Sequence, residues 1–217
     1  MRVSLRFGGL IFDHDGTLVD SLPVVVEATN AVLRQRGFSE MPGPVIIAGM
    51  VLPTVPRLLA CTGLQDPDVG QQMAEAFYRE ANLRPHLARA YDGVPEALRC
   101  LADRGHRLGV VSNNQGRFVR IVCSRLGLQE FLPVVMGEED MPAPKPDHRG
   151  LMWAAAGLGL TPADCAYVGD SPGDAQAARS AGMTAIGCTW GIHSRAEMDS
   201  MGFDVLIDHP RELTTLG

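Results

Sequence analysis

A set of short apolar runs, most of them without alternation, sets the tightest limit on how this chain can fold. GLIF (9–12), RLGVVS (107–112), CAYVG (165–169) and TAIGC (184–188) read as strands, with FLPVVM (131–136) and DVLI (204–207) as further candidates. A strand with one wet face alternates apolar and polar residues. Unbroken apolar runs fit strands covered on both faces, as in parallel sheets. Helical patterns lie between them: VPEALRCLADRG (94–105), GRFVRIVCSRLGL (116–128), HRGLMWAAAGLGL (148–160) and GDAQAARSAG (173–182). Several end in glycine, a common helix stop.

Residues 19–90 depart from this rhythm. LPVVVEATNAVLRQRG (22–37) and DVGQQMAEAFYREANLRPHLARA (68–90) both have helical spacing, with no convincing strand between them. The apolar tract VIIAGMVLPTVPRLLACTGL (45–64) is interrupted by Pro53, Pro56 and Arg57. It therefore stops short of the roughly 18–20 residues needed to span a bilayer, and reads as buried helix segments with a proline-marked break. The expected fold is α/β: a parallel Rossmann-like core sheet with helices on both faces, plus a helical cap inserted after the first strand. The expected domains are a catalytic core of residues 1–18 and 91–217 and a cap of residues 19–90. At 217 residues the chain is long enough for both.

In open parallel sheets ligands collect outside the carboxyl ends of the strands. The segments just past the strands are therefore where site residues are expected: DHDGT after the first, SNN after the second and GDSPGD after the third, with PAPKPD (142–147) before a helix. Asp13 and Asp15 are one residue apart, so in an extended chain both carboxylates share a face while His14 points away. One carboxylate can attack phosphorus and form an aspartyl phosphate, dividing a hard hydrolysis into two easier transfers. The other, its pKa raised by its negative neighbour, can protonate the leaving oxygen and later deprotonate water. Gly16 permits a sharp turn that brings backbone N–H groups near an anion, and Thr17 adds a hydroxyl. The competing reading is an acidic turn, but D-x-D-G-T is expected only about once in 10⁵ positions at average residue usage.

Asp170 and Asp174 add negative charge, which is reasonable around a metal ion. Oxygen ligands without a His or Cys cluster select Mg²⁺. Ser171 or Asp174 can also cap the following helix, and the two roles are compatible. Lys145, between Pro144 and Pro146, is held on a restricted backbone where its ammonium can neutralise both nucleophile and phosphate. The Ser112 hydroxyl and the Asn113 backbone N–H can hold phosphate oxygens.

The formal charge of −6 argues against a general nucleic-acid or membrane-surface binder. The expected partner is a small phosphorylated metabolite, with no nucleic acid, membrane or protein partner. Cys61, Cys100, Cys123, Cys165 and Cys188 are scattered, without CxxC spacing, and read as reduced thiols. MRVSLRFGG lacks the apolar core of a signal peptide, so a cytoplasmic location is expected.

With these residues in order the chain resembles the haloacid dehalogenase superfamily, and more closely its phosphoglycolate phosphatase-like branch. DHDGTLVDS is similar to that family's nucleophile motif, VVSNN to its phosphate motif, KPD to its lysine motif and VGDSPGDAQAARSAGM to its metal motif. The resemblance implies Asp13 as nucleophile and Mg²⁺ ligand, and Asp15 as acid/base that also offers its backbone carbonyl to the metal. It further implies Ser112 and Lys145 as phosphate holders, Asp170 as a direct metal ligand and Asp174 as a mostly outer-shell partner. His14 departs from the apolar residue usual at its position, and is expected to find a hydrogen bond inside the protein. Asp15 favours phosphate esters over haloacids, because a halide leaves unprotonated. The implied activity is Mg²⁺-dependent hydrolysis of a small, phosphoglycolate-like phosphomonoester. The alternatives are a sugar-phosphate mutase and, from another class, a phospho-accepting signalling module. Asn30, Arg34, Arg57 and Arg79 are candidate cap contacts for substrate selection.

Overall fold

The computed structural model of the chain describes residues 7–215. Six strands form one sheet: β1 (Gly9–Phe12), β4 (Arg107–Val111), β5 (Val134–Met136), β6 (Cys165–Gly169), β7 (Thr184–Cys188) and β8 (Val205–Ile207). Their order across the sheet is β5-β4-β1-β6-β7-β8, with all neighbours parallel. All six coincide with apolar runs, and the lack of alternation has its expected cause. Ile11, Val111, Tyr167 and Ala185 pack into one core with Leu151, Ala154 and Ala177. Their strand neighbours Leu10, Phe12, Val110 and Val168 face the other way and are equally buried.

Helices α5 (Val94–Asp103), α6 (Gly116–Arg125), α7 (Arg149–Gly157) and α8 (Pro172–Ala181) connect the strands, with a short α9 (Arg195–Met198) before β8. The glycine stop acts as expected at α8: Gly182 takes a left-handed φ of 77° and ends the helix. Among the described residues no helix is long and apolar enough to cross a membrane.

The chain divides into two compact units, Met1–Asp20 with Arg89–Gly217, and Ser21–Ala88. Two very short strands, β2 (Val19–Asp20) and β3 (Arg89–Ala90), pair antiparallel in the first unit, one on either side of the second unit in the sequence. Two residues are too few for a periodic signal, so this pairing has no trace in the sequence pattern.

The second unit is helical: α1 (Leu22–Gln35), α2 (Gly43–Ala48), α3 (Thr54–Thr62) and α4 (Pro67–Asn82). Its core is built from Val24, Ala28, Val32, Leu33, Ile46, Leu58, Met73 and Phe77. Asp66 caps α4, accepting the Asp68 N–H at 2.9 Å. Pro53 marks the break between the helices, as the sequence suggests. The expectation that residues 45–64 are buried holds only in part. Ile46 and Leu58 are enclosed, whereas Val45, Val51, Leu52 and Leu64 are exposed. Each short helix has one inward face, and the residues around Pro53 fall on the outside.

Candidate active site

Strands β4 and β6 flank β1, so residues leaving the carboxyl ends of these three strands emerge side by side. The chain order reverses here, since β4 and β5 lie on one side of β1 and β6 to β8 on the other, which is where a parallel sheet opens a crevice. Asp13 comes directly after β1 and keeps its ladder bond, its N–H donating to Val168 O at 2.8 Å. Ser112 comes after β4, and Asp170 after β6.

The only lysine in the chain joins these ends. Lys145 Nζ lies 2.7 Å from Asp13 Oδ1 and 2.6 Å from Asp174 Oδ1. It also donates to the Tyr167 hydroxyl at 2.7 Å, and that hydroxyl donates to Val111 O at 2.9 Å. The Lys145 backbone is gripped by Asn113, whose Oδ1 accepts its N–H at 2.7 Å and whose Nδ2 donates to its carbonyl at 3.0 Å. The Lys145–Pro146 peptide is cis.

Asp13, Asp170 and Asp174 are buried, and one carboxylate oxygen from each lies within 4.8 Å of the others. Asp174 sits in the first turn of α8 and closes a capping box: its Oδ2 accepts the Ser171 N–H at 3.0 Å, while Ser171 Oγ accepts the Asp174 N–H at 3.3 Å. Asp174 thus belongs to both the helix cap and the acidic cluster.

Burial dominates the titration of this cluster. It lifts the Asp13 carboxyl from 3.8 to about 7, with Lys145 opposing the rise and Asp174 and Asp15 adding to it. Asp170 is pushed well above the usual carboxylate range, first by burial and then by Asp13 and Asp174. Lys145 is raised although burial alone would lower it, because two carboxylates hold its proton. Three enclosed carboxylates with one ammonium leave an excess of negative charge. All donors are hard oxygens, so the set fits a small divalent cation of the Mg²⁺ type.

Asp15 lies outside that trio. Its Oδ2 accepts from Asn114 Nδ2 at 3.1 Å and from Ser112 Oγ at 3.5 Å. Ser112 Oγ in turn accepts the Asn114 N–H at 3.1 Å. His14 is fully buried, with Nδ1 at 3.2 Å from Asp15 Oδ1 and its ring edge-on to Phe118. The partner expected for His14 inside the protein is the Asp15 carboxylate, met as a close ion pair although, among the described residues, neither ring nitrogen reaches ideal hydrogen-bond geometry. The contact with Asp15 is charge against charge. Burial lowers the imidazole pKa, but Asp15 and Cys123 outweigh it and carry it to about 10.

Gly16 has φ 80°, and a side chain there would run into the Asp170 carboxylate. Thr17 is buried, with its carbonyl accepting from Trp190 Nε1 at 2.9 Å and its Oγ1 3.6 Å from Cys188 Sγ. Sequence reasoning missed Tyr167, Asn114 and Trp190. Tyr167 hid inside an apolar strand. Asn113 is expected there for its backbone N–H alone, and the loop-tying role of the two side-chain amides has no local signal, although amides beside a strand end often tie loops together.

Together, the parallel sheet and the acidic cluster tied by one lysine at its carboxyl edge define an α/β enzyme scaffold with its chemistry at the switch point. Residues 10–188 match the family model described as haloacid dehalogenase-like hydrolase. The chain belongs to that family. It is 31% identical to an N-acetylmuramic acid 6-phosphate phosphatase of Pseudomonas aeruginosa, over 96% of this chain and 94% of that protein. It is 32% identical to a phosphoglycolate phosphatase of Xylella fastidiosa, over 94% of this chain and 90% of the relative. A haloacid dehalogenase-like family hydrolase from Streptococcus pneumoniae has the same fold, with a TM-score of 0.84, 20% identity and 98% of each chain covered.

Proposed function

We propose that this chain is a Mg²⁺-dependent phosphatase that hydrolyses a small phosphomonoester through an aspartyl phosphate on Asp13. The observation that carries this reading is the convergence of Asp13, Lys145 and the Asp170–Asp174 pair, from three separate segments of the chain, on one buried cluster. A charge excess of this kind costs the fold stability, and a reaction on a phosphate dianion gives it a use.

Asp13 attacks phosphorus, the P–O ester bond breaks, and Asp15 gives its proton to the departing alkoxide. Asp15 then takes a proton from water, which attacks the acyl phosphate, releases inorganic phosphate and restores the Asp13 carboxylate. Lys145 holds the Asp13 carboxylate in place and offsets the charge of the transferring group. Ser112, the Asn113 N–H and Thr17 supply donors for the phosphoryl oxygens, while the Gly16 N–H closes its own turn by donating to Val19 O at 2.9 Å. Asp13, Asp170 and Asp174, with the Asp15 carbonyl, would hold Mg²⁺, which supplies Lewis-acid stabilisation of the phosphoryl charge. The helical unit acts as the cap that sets selectivity. The substrates named for the two curated relatives, phosphoglycolate and N-acetylmuramic acid 6-phosphate, are both phosphate esters bearing a carboxylate. A small acidic phosphomonoester is accordingly the substrate class inferred for this chain.

Turnover of 4-nitrophenyl phosphate and 2-phosphoglycolate with Mg²⁺, measured for the wild type and for Asp13→Asn, tests the reading. The variant should lose activity by roughly 10⁴-fold or more, as removal of a covalent nucleophile does. Acid-quenched wild type should carry a hydroxylamine-labile phosphoryl group. Equal rates in the two proteins would overturn the proposal. Isomerised sugar phosphate in place of free phosphate would replace the hydrolase with a mutase.

A further inference from the structure

A histidine stands directly behind the acid of the proposed reaction. His14 is fully buried, so it cannot touch a substrate itself. Its backbone is locked by the turn that follows, its carbonyl accepting the N–H groups of Leu18 at 3.1 Å and Val19 at 2.9 Å. Its ring is fixed as well. Phe118 meets it edge-on with the ring centres 6.1 Å apart, and Cys123, from the same helix α6, also bears on it. Held in this way, Nδ1 lies 3.2 Å from Asp15 Oδ1.

The two oxygens of Asp15 have different surroundings. The side chain is 29% exposed, yet Oδ1 is sealed, so what the carboxylate presents to the outside is not Oδ1. Oδ2 accepts from Asn114 Nδ2 at 3.1 Å and stands 3.5 Å from Ser112 Oγ, the hydroxyl assigned above to the phosphoryl oxygens. Asn114 is itself pinned, its N–H donating to Ser112 Oγ at 3.1 Å and its Oδ1 accepting the Gln115 N–H at 2.8 Å. One oxygen thus faces the interior and the other faces the phosphate side.

Packing alone gives no reason for an imidazole at this position. Two enclosed ring nitrogens short of ideal hydrogen-bond geometry cost the fold stability, and a leucine side chain would fill much the same volume beside Phe118 without that cost. What leucine lacks is a protonated nitrogen against Oδ1. A proton cannot occupy Oδ1 where that oxygen already faces an N–H, so the acid form of Asp15 carries its proton on Oδ2. Oδ2 has two lone pairs, and can accept from Asn114 and still hold a proton.

We propose that His14 is a positioning residue of the reaction: it anchors the inner oxygen of Asp15, so that the proton given to the leaving alkoxide departs from the outer oxygen, beside Ser112. The inference rests on the phosphatase reading and adds the group that aims its acid. Every residue it uses belongs to the unit that contains the strands.

The test compares kcat/KM, which covers only the steps up to departure of the alcohol, for two esters in the full chain with Mg²⁺. The alkoxide of 2-phosphoglycolate needs a proton, whereas 4-nitrophenolate needs little. His14→Leu and His14→Met, two variants of similar bulk, should lose about 30-fold with the first ester and no more than about threefold with the second. A misdirected acid forfeits part of the roughly 10²–10⁴-fold that proton transfer supplies. His14→Asn returns a donor near Nδ1 in a smaller side chain. It should come within about fivefold of the wild type on 2-phosphoglycolate even though the space it leaves lowers Tm, a split that a purely structural role would not produce. Added to Asp15→Asn, His14→Leu should cost no more than about twofold further, because no acid is left to aim. Equal losses with the two esters, or an undiminished loss in the Asp15→Asn background, would overturn the proposal. If the wild type turned over neither ester, the phosphatase reading would fall instead. The carbon-13 NMR signal of the Asp15 carboxyl, assigned by its disappearance in Asp15→Asn, would then judge His14 by itself. A single sharp line that broadens or splits in His14→Leu supports the anchor, and an unchanged line refutes it.

Discussion

Replacing Lys145 with methionine removes one charge and little volume, which makes it the cleanest probe of the acidic cluster. The ammonium touches Asp13 at 2.7 Å, Asp174 at 2.6 Å and the Tyr167 hydroxyl at 2.7 Å, and its side chain is 4% exposed. Removing one partner from a buried ion pair leaves an uncompensated charge, at a cost of about 3–5 kcal/mol. For a protein of this size each kcal/mol moves Tm by roughly 2–4 °C, so Lys145→Met in EDTA should melt roughly 6–20 °C below the wild type at pH 8. The deficit should depend on pH, with a sign set by Asp13. Its carboxyl titrates near 7 in the folded state against 3.8 when free, and Lys145 is the main influence pulling it down. A folded-state pKa raised in this way contributes stability that is present below about pH 4 and lost as pH rises through the folded value. Without Lys145 that value climbs further, and the loss deepens. Lys145 itself stays charged over this range, because its pKa is raised above 10.5. The gap in Tm between the proteins should therefore narrow by about half or more on going from pH 8 to pH 5. Scanning calorimetry at three pH values in EDTA reads it directly. An equal deficit at every pH, or none at pH 8, would show that Lys145 is not the counter-charge of the cluster.

The same geometry carries three further outcomes. Asp15→Asn keeps the bulk and the hydrogen-bonding edge but loses the transferable proton, so kcat should fall by about 10²–10⁴-fold. Because 4-nitrophenolate needs little protonation, the fall should be smaller with 4-nitrophenyl phosphate than with an alkyl phosphate; equal losses would remove Asp15 from the leaving-group step. Mg²⁺ at about 100 times its dissociation constant should stabilise the wild type by about 2.7 kcal/mol, and Asp170→Asn should abolish the rise in Tm. A variant that still responds to Mg²⁺ would place the metal elsewhere. Gly16→Ala forces a left-handed φ of 80° on a residue with a side chain and drives that side chain into Asp170. It should lose at least about 1–2 kcal/mol of stability along with turnover, and wild-type behaviour in both would contradict the close approach.

The features legible in the sequence share one cause: each depends on residues close together in the chain. Unalternating runs reveal strands because both faces of GLIF and CAYVG are covered, a condition written into each run itself. Asp13, Ser112 and Asp170 could be expected at one place because each comes directly after a strand, and a parallel sheet puts all its strand ends on one edge. Side-chain partnership is different, since it is decided across long stretches of intervening chain. Asn113 bonds the backbone of Lys145, and Asn114 bonds the carboxylate of Asp15. Neither pairing changes any local pattern, so SNN can be expected at the site while the partners of its two amide side chains cannot. Tyr167 is hidden for a related reason: its ring satisfies the apolar rule of the strand while its hydroxyl works at the tip, holding Lys145. Arg57 is the strongest case. The sequence offers it only as one of four polar candidates in the helical unit, and only the packing of α1, α3 and α4 shows that Thr29 and Phe77 enclose it. Residue type and strand position thus locate a reaction centre, whereas the groups that orient it become visible only when distant segments are packed together.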